Sequence, residues 1–107
     1  MKRRRVILSA EAIADIEVIA AWLTEEASGA VARRYVGRVK ASLAKFAFAS
    51  ERGTVRNEIM DGLRVVGILG SASVAFRASE DRVTILRVFH GGQDWQSALT
   101  ADDDNDD

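Results

Sequence analysis

The chain contains no cysteine and only one histidine among its 107 residues. Without cysteine it can form no disulfide, no zinc–thiolate site and no cysteine nucleophile. Its one histidine and scattered carboxylates lack the His/Cys/Asp spacing that metal sites use. We therefore expect no metal and no cofactor, and the lack of disulfides suits a reducing compartment.

The chain also lacks a long uninterrupted apolar run. Its first residues, "MKRRRVILSAEAIAD", begin with basic side chains as a signal peptide does, but Ser9, Glu11 and Asp15 interrupt the apolar stretch that follows. That stretch is too short and too charged for a signal-peptide core or a membrane span. We expect a soluble, cytoplasmic protein, and 107 residues leave room for a single domain with one core.

Charge is distributed unevenly along the sequence. The formal net charge is -1, yet residues 102–107, "DDDNDD", hold five of the sixteen acids, so residues 1–101 carry fifteen bases against eleven acids. This mildly basic balance permits a nucleic-acid or acidic-protein partner without requiring one. Because like charges repel, we expect residues 101–107 to be an acidic disordered tail beside a single domain over residues 1–100. A tail that shields the basic surface is the alternative.

Hydrophobic periodicity predicts a strand followed by a helical hairpin. Residues 5–8 have a short strand pattern that ends at Ser9, a good N-cap. The apolar spacing then predicts a helix from Ala10 to about Glu26 and a second from about Ala30 to Ala49. The apolar face of the first helix comprises Ile13, Ile16, Ile19, Ala20 and Leu23, and that of the second comprises Ala32, Tyr35, Val36, Val39, Leu43 and Phe46.

After a charged loop around Gly53, the hydrophobic period changes to two. Three runs, Leu63 to Leu69, Ser73 to Arg77 and Arg82 to Phe89, are separated by short turn-forming segments and predict an antiparallel meander. The last run is apolar at odd and even positions, so we expect a central strand buried on both faces. The order β-α-α-β-β-β predicts an α+β domain in which a helical hairpin packs on a small twisted, mainly antiparallel sheet.

Three segments, taken in order, resemble the RelE/ParE superfamily of toxins from type II toxin–antitoxin pairs, and more closely its ParE-like branch. They are "AEAIADIEVIAAWL" in the first helix, "GLRVV" at the entry to the meander and "EDRVTILRVFHGGQDW" at its end. Their order and spacing over residues 5–99 carry the resemblance. The sequence departs from the family pattern in having no proline, in Gln93 where many relatives have arginine, and in Phe76 where tyrosine is usual.

The ParE-like resemblance implies a toxin that inhibits DNA gyrase by binding and is neutralised by a cognate antitoxin. That partner is expected to be ParD-like, a ribbon–helix–helix protein with an acidic and apolar segment that wraps around the toxin. Such a toxin needs surface shape and charge, with no catalytic group, small-molecule substrate or membrane. The candidates for target binding are Gln93, Asp94 and Trp95, and those for antitoxin binding are Trp22, Arg33, Arg34 and Arg38. The arginines also fit a solvated helix face, and both tryptophans fit the core.

The RelE-like branch implies a different activity, ribosome-dependent cleavage of messenger RNA. That reaction needs a group to activate a 2′-hydroxyl, a proton donor for the leaving oxygen and positive charge for the phosphate. The candidates for this alternative are Arg64, Arg77, Arg87 and His90. A third possibility is an inactive family member that binds an antitoxin and poisons nothing.

Each of these candidates also has a structural interpretation. Strand alternation puts Arg87 on one face with Ile85 and Phe89, so it either lies at the margin of the buried region or pairs with a carboxylate such as Asp94. His90 can bond to backbone or to Asp94 and order the turn that the glycines after it permit. We therefore expect His90 to be a structural anchor.

Overall fold

The computed structural model describes residues 3–91, which form two helices packed on a five-stranded sheet. The elements are β1 (Arg5–Leu8), α1 (Ala10–Glu26), α2 (Gly29–Ala44), a 3-10 turn (Lys45–Ala47), β2 (Thr54–Val55), β3 (Arg64–Ile68), β4 (Ala72–Ala78) and β5 (Arg82–His90). The strand order is β1-β5-β4-β3-β2, with β1 parallel to β5 and all other neighbours antiparallel. The predicted α+β fold with β5 inside the sheet is confirmed. Within residues 3–91, no helix has both the length and the apolar character needed to cross a membrane.

Two serines fix where the helices begin. The Ser9 hydroxyl accepts a hydrogen bond from the Ala12 N–H at the start of α1 and donates one to the Leu86 carbonyl of β5. The Ser28 hydroxyl accepts a hydrogen bond from the Val31 N–H at the start of α2. Both satisfy a backbone donor that the first helical turn leaves unpaired. Ser9 therefore also links the helical hairpin to β5.

The main core lies between the hairpin and one face of the sheet. The Phe46 ring meets the Phe76 ring edge-on, with ring centroids 4.8 Å apart. Ile13 was predicted to face this core and is instead 47% exposed. The buried stripe of α1 passes through Ala12, and one residue further along a helix turns the side chain by about 100°. The core residues contributed by the helices are Ala12, Ile16, Ile19, Val39 and Leu43, and those contributed by the strands are Ile68, Ala72, Val74, Phe76, Val83, Ile85 and Val88.

A smaller apolar cluster occupies the opposite face of the sheet, under the loop of residues 56–62. Asn57 Oδ1 accepts a hydrogen bond of 2.8 Å from the Gly62 N–H within this loop. Arg56 Nε lies 2.6 Å from Glu58 Oε2, and this guanidinium lowers the pKa of the Glu58 carboxyl. The cluster contains Leu63, Val65, Ala75 and Phe89, flanked by Ile59, Met60 and Leu86. The second half of β5 is therefore buried on both faces, as predicted, whereas Arg82 at its start is exposed.

The segment between α2 and β3 differs from its prediction. α2 ends at Ala44 instead of Ala49 and continues as a 3-10 turn. The charged loop contains the short strand β2, whose two residues are both exposed and so leave no apolar pattern in the sequence. Gly53, just before β2, has φ +82°, and a side chain there would collide with the Val65 carbonyl oxygen. Only glycine fits this approach of the loop to the sheet.

A β-bulge in β5 changes the alternation of its side chains. Ala75 of β4 pairs with Arg87 and the next residue, Phe76, pairs with Ile85, so Leu86 is the extra residue. Ile85 belongs to the main core, whereas Phe89 lies in the cluster on the opposite face. The prediction that Arg87 shares one face with both of them is therefore wrong. The bulge turns Arg87 to the side of Phe89, whose ring centroid lies 5.0 Å from the guanidinium carbon.

Candidate binding surfaces

His90, at the end of β5, is packed between two aromatic side chains. Its ring centroid lies 4.8 Å from that of Trp22 and 5.9 Å from that of Tyr35, the latter at an interplanar angle of 89°. The Tyr35 hydroxyl is 2.9 Å from the Ser71 hydroxyl. Gly91 follows with φ +61° and donates its N–H to the Ser71 carbonyl. These contacts give His90 a packing role at the end of the strand.

The structure describes only the first part of the turn that follows His90. Gly91 takes the left-handed conformation that favours glycine. Asp94, one of the partners considered for His90 and for Arg87, lies outside the described residues. The observed carboxylate partner of Arg87 is Asp15.

The Asp15–Arg87 pair closes part of the edge of β5. Arg87 Nε donates to Asp15 Oδ2 at 2.8 Å and Arg87 Nη2 to Oδ1 at 3.1 Å, while the Val88 N–H donates to Oδ2 at 2.9 Å. The two side chains are only 17% and 19% exposed. β1 pairs with β5 as far as Ile85, and beyond that point the side chains of Ser9 and Asp15 take over. Arg87, one of the candidates for binding a phosphate, is thus held in a structural ion pair with Asp15.

The same edge of β5 and α1 form a groove of about 300 Å³, the edge groove. Trp22 is 47% exposed there and Val18 is 69% exposed, so the interpretation of Trp22 as a core residue is wrong. Its ring covers His90 on one side and faces solvent on the other, an arrangement that suits a contact residue. The groove is lined by Asp15, Val18, Ile19, Trp22, Val88 and His90.

A second groove, of about 550 Å³, runs between α1 and α2 and is named here the hairpin groove. Its floor is made of small apolar side chains, and Arg33 and Lys40 bring positive charge to it. Arg34 and Arg38 are exposed on α2 but do not line it. The structure therefore brings one of the three predicted arginines to the groove. The lining residues are Ala20, Thr24, Gly29, Ala32, Arg33, Val36, Gly37 and Lys40.

The four candidates for ribonuclease chemistry do not converge on one site. Arg64 is opposite Phe76 in the sheet and so projects on the side of the helices. Arg77 is the next residue after Phe76 and projects from the other face. Arg87 is bound to a carboxylate, and His90 lies at the far end of β5 between aromatic rings.

Known proteins similar to this chain identify its family. A family model described as the ParE toxin of the type II toxin–antitoxin system, parDE, matches residues 6–95. The chain belongs to the ParE toxin family. Its fold is similar to that of a solved structure described as a chromosomal ParDE TA system from P. aeruginosa, with a TM-score of 0.72 and 18% sequence identity over 83% of this chain and 97% of that chain. No curated protein sequence matches.

Sequence reasoning about this ParE-family toxin missed two features and left one set of candidates untested. Asp15 was seen only as a break in an apolar run, because its partner Arg87 lies 72 positions away and leaves no local signal. Gly37, which lines the hairpin groove, has no side chain that could mark it as a contact residue in the sequence. The target-binding candidates Gln93, Asp94 and Trp95 lie outside the described residues.

Proposed function

We propose that this ParE-family toxin inhibits DNA gyrase by binding it and is held inactive by a cognate antitoxin of the ParD type. The observation that carries the proposal is the separation of Arg64, Arg77, Arg87 and His90. Phosphodiester cleavage needs an activating group, a proton donor and positive charge around one phosphate. Arg64 and Arg77 project from opposite faces, Arg87 is bound to Asp15, and His90 is packed between rings. A toxin that acts by binding needs no such convergence.

The hairpin groove supports the antitoxin part of the proposal. Its apolar floor of Ala20, Ala32 and Val36 fits the apolar stripe of an amphipathic helix. Arg33 and Lys40 are placed to meet acidic side chains on the same helix. An acidic amphipathic segment is therefore the occupant that we assign to this groove.

The edge groove supplies the second contact in this proposal. Trp22 is a large, half-exposed aromatic side chain, and such residues dominate the energetics of protein interfaces. Val18, one turn earlier on α1, extends the apolar surface beside it. We assign this surface to the part of the antitoxin that continues beyond the hairpin groove.

A paired assay tests the activity. The purified toxin is added to gyrase with supercoiled DNA, and the same preparation is added to a translation mixture. We expect stalled gyrase–DNA cleavage complexes, intact messenger RNA and reversal of the effect by the antitoxin. Saturating toxin without any effect on gyrase would contradict the proposal.

The two alternatives give different results in the same experiment. Cut messenger RNA that disappears in Arg64→Ala, Arg77→Ala or His90→Ala would assign the toxin to the RelE-like activity. Intact messenger RNA, normal gyrase and no growth arrest on induced expression would identify an inactive, antitoxin-binding member.

A further inference from the structure

The face of the sheet turned away from the helices is only partly covered. Near β3, residues 56–62 lie over an apolar cluster that includes Val65 and Phe89. Toward the start of β5, this face carries three exposed arginines on three adjacent strands, beside the partly exposed Ile7 of β1. They are Arg5 of β1, Arg82 of β5 and Arg77 of β4, named here the sheet-face arginines.

The strand register places the sheet-face arginines together. Arg5 is directly opposite Arg82 on the neighbouring strand, and Arg77 is opposite Thr84, two residues further along β5. Side chains opposite each other on adjacent strands are about 5 Å apart and diagonal neighbours roughly 7–8 Å apart. The residues that alternate with them, among them Val83, point into the main core. The three side chains therefore start from one face in a short row that crosses the strands, and the Nε of Arg77 lies toward Gly62 on the β3 side of the row.

Asp81, in the turn before β5, balances part of the charge of this row. Arg82 Nε lies 3.7 Å from Asp81 Oδ1, and these side chains are 47% and 68% exposed, so water screens the pair. Glu80 is exposed in the same turn. Arginine is suited to phosphate because its planar guanidinium can donate two parallel hydrogen bonds to two oxygens. The row thus offers several phosphate-binding groups at neighbouring positions.

We propose that the sheet-face arginines bind the phosphate backbone of duplex DNA. A polyanion with regularly spaced charges can engage several guanidiniums in a row at once. An extended acidic peptide that joins a sheet pairs along a strand edge, whereas this row crosses the face. The residues next to the three arginines on this face are Ile7 and Thr84, and neither has an aromatic ring on which an unpaired base could stack. This favours a duplex over a single strand.

This contact goes beyond the proposed binding of gyrase. Through this contact the toxin would bind DNA directly, independently of any contact with gyrase. Duplex binding can therefore be measured without gyrase, and a negative gyrase assay leaves its test intact.

The test measures binding of a short, fluorescently labelled DNA duplex to the full chain by anisotropy at several salt concentrations. Three phosphate contacts give a slope of about -2.7 in a plot of log K against log salt concentration. Each of Arg5→Gln, Arg77→Gln and Arg82→Gln should reduce that slope by about 0.9 and weaken binding about eightfold at about 0.1 M salt. Circular dichroism checks that each variant is folded.

Matched controls are Arg34→Gln and Arg38→Gln, which remove the same charge from exposed positions on α2. They should leave the slope unchanged. An equal loss in the control variants, or full binding by a triple Arg5, Arg77 and Arg82 variant, would overturn the proposal. So would tighter binding of a single strand of the same sequence, or an arginine dependence seen with poly-glutamate and not with the duplex.

Discussion

Asp15 of α1 links the helical hairpin to β5 by accepting two hydrogen bonds from Arg87 and one from the Val88 N–H. The carboxylate thereby neutralises a guanidinium that is only 19% exposed and satisfies a backbone donor that β1 does not reach. Both functions require the negative charge and the geometry of a carboxylate. The pair is thus the main polar link between the two layers of the fold.

Replacing Asp15 should therefore lower stability strongly. Asp15→Asn removes the charge at constant size, and hydrogen bonds to charged groups are worth about 1.5–3 kcal/mol. We expect a loss of that order in the free energy of unfolding, measured by urea denaturation. Glu17→Gln, an exposed change on the same helix, should shift it by less than about 0.5 kcal/mol. Equal effects of the two changes would show that the pair contributes nothing.

Ser9 both caps α1 and bonds to β5, whereas Ser28 only caps α2, so comparing the two serines measures the bond to β5. Ser28→Ala removes an N-cap bond and should cost about 1 kcal/mol. Ser9→Ala removes the equivalent cap and also the bond to the Leu86 carbonyl, so it should cost about 1 kcal/mol more. Chemical denaturation of both variants provides the comparison. If Ser28→Ala is as damaging as Ser9→Ala, the bond to β5 is not stabilising.

His90 should be replaceable by another aromatic ring. His90→Ala removes two ring contacts worth about 0.5–1.5 kcal/mol each, whereas His90→Phe retains them. We expect His90→Phe to keep both its stability and any growth arrest seen with the natural sequence on induced expression. A folded His90→Phe protein that no longer arrests growth would instead assign chemistry to the imidazole.

Gly37 offers a way to block the hairpin groove without disturbing the fold. A Cβ atom at this position would meet no atom within 4 Å, and leucine has a higher helix propensity than glycine. Gly37→Leu should leave stability unchanged or raised. Because overfilling a packed contact costs about 1–3 kcal/mol, antitoxin binding should weaken about tenfold or more.

The matched control for this change is Ala41→Leu, an exposed position of α2 that does not line the groove. It should leave the dissociation constant for the antitoxin unchanged, as measured by calorimetry. Undiminished binding by Gly37→Leu would remove the hairpin groove from the antitoxin interface.

Gly53 should tolerate no side chain. Gly53→Ala combines a left-handed backbone, a strain of about 1–3 kcal/mol, with a collision against Val65. Gly70→Ala has similar backbone strain, with φ +67°, but open space around the new methyl group. Thermal melts should therefore show a much larger loss for Gly53→Ala, and equal losses would mean that the loop moves aside.

Much of the fold could be predicted from local patterns. α1 begins and ends where its capping serine and apolar spacing predict, and β5 was recognised from its two-sided apolar run. These features depend on neighbouring residues in the sequence. The extent of α2 was overestimated because its apolar spacing continues to Phe46, which the 3-10 turn also buries.

The errors arose where distant residues decide the outcome. The bulge at Leu86 depends on the fit between two strands and leaves no pattern in either of them. The Asp15–Arg87 pair follows from the parallel placement of β1 beside β5, which strand patterns alone do not specify. Trp22, a candidate for both the core and the antitoxin interface, was expected to pack because of its place beside Leu23, but it is 47% exposed at the edge of the sheet.

The position of β5 inside the sheet, between β1 and β4, bears on how the toxin is synthesised. Ser9 bonds to Leu86 across 77 positions of the chain, and β5 provides the main core with Val83, Ile85 and Val88. During synthesis, the helical hairpin leaves the ribosome before the strand on which it packs exists. Pairings between such distant segments also form slowly. We therefore expect the nascent chain to lack a folded binding surface until β5 has been synthesised. An antitoxin that is already present can then bind the toxin as soon as the toxin folds.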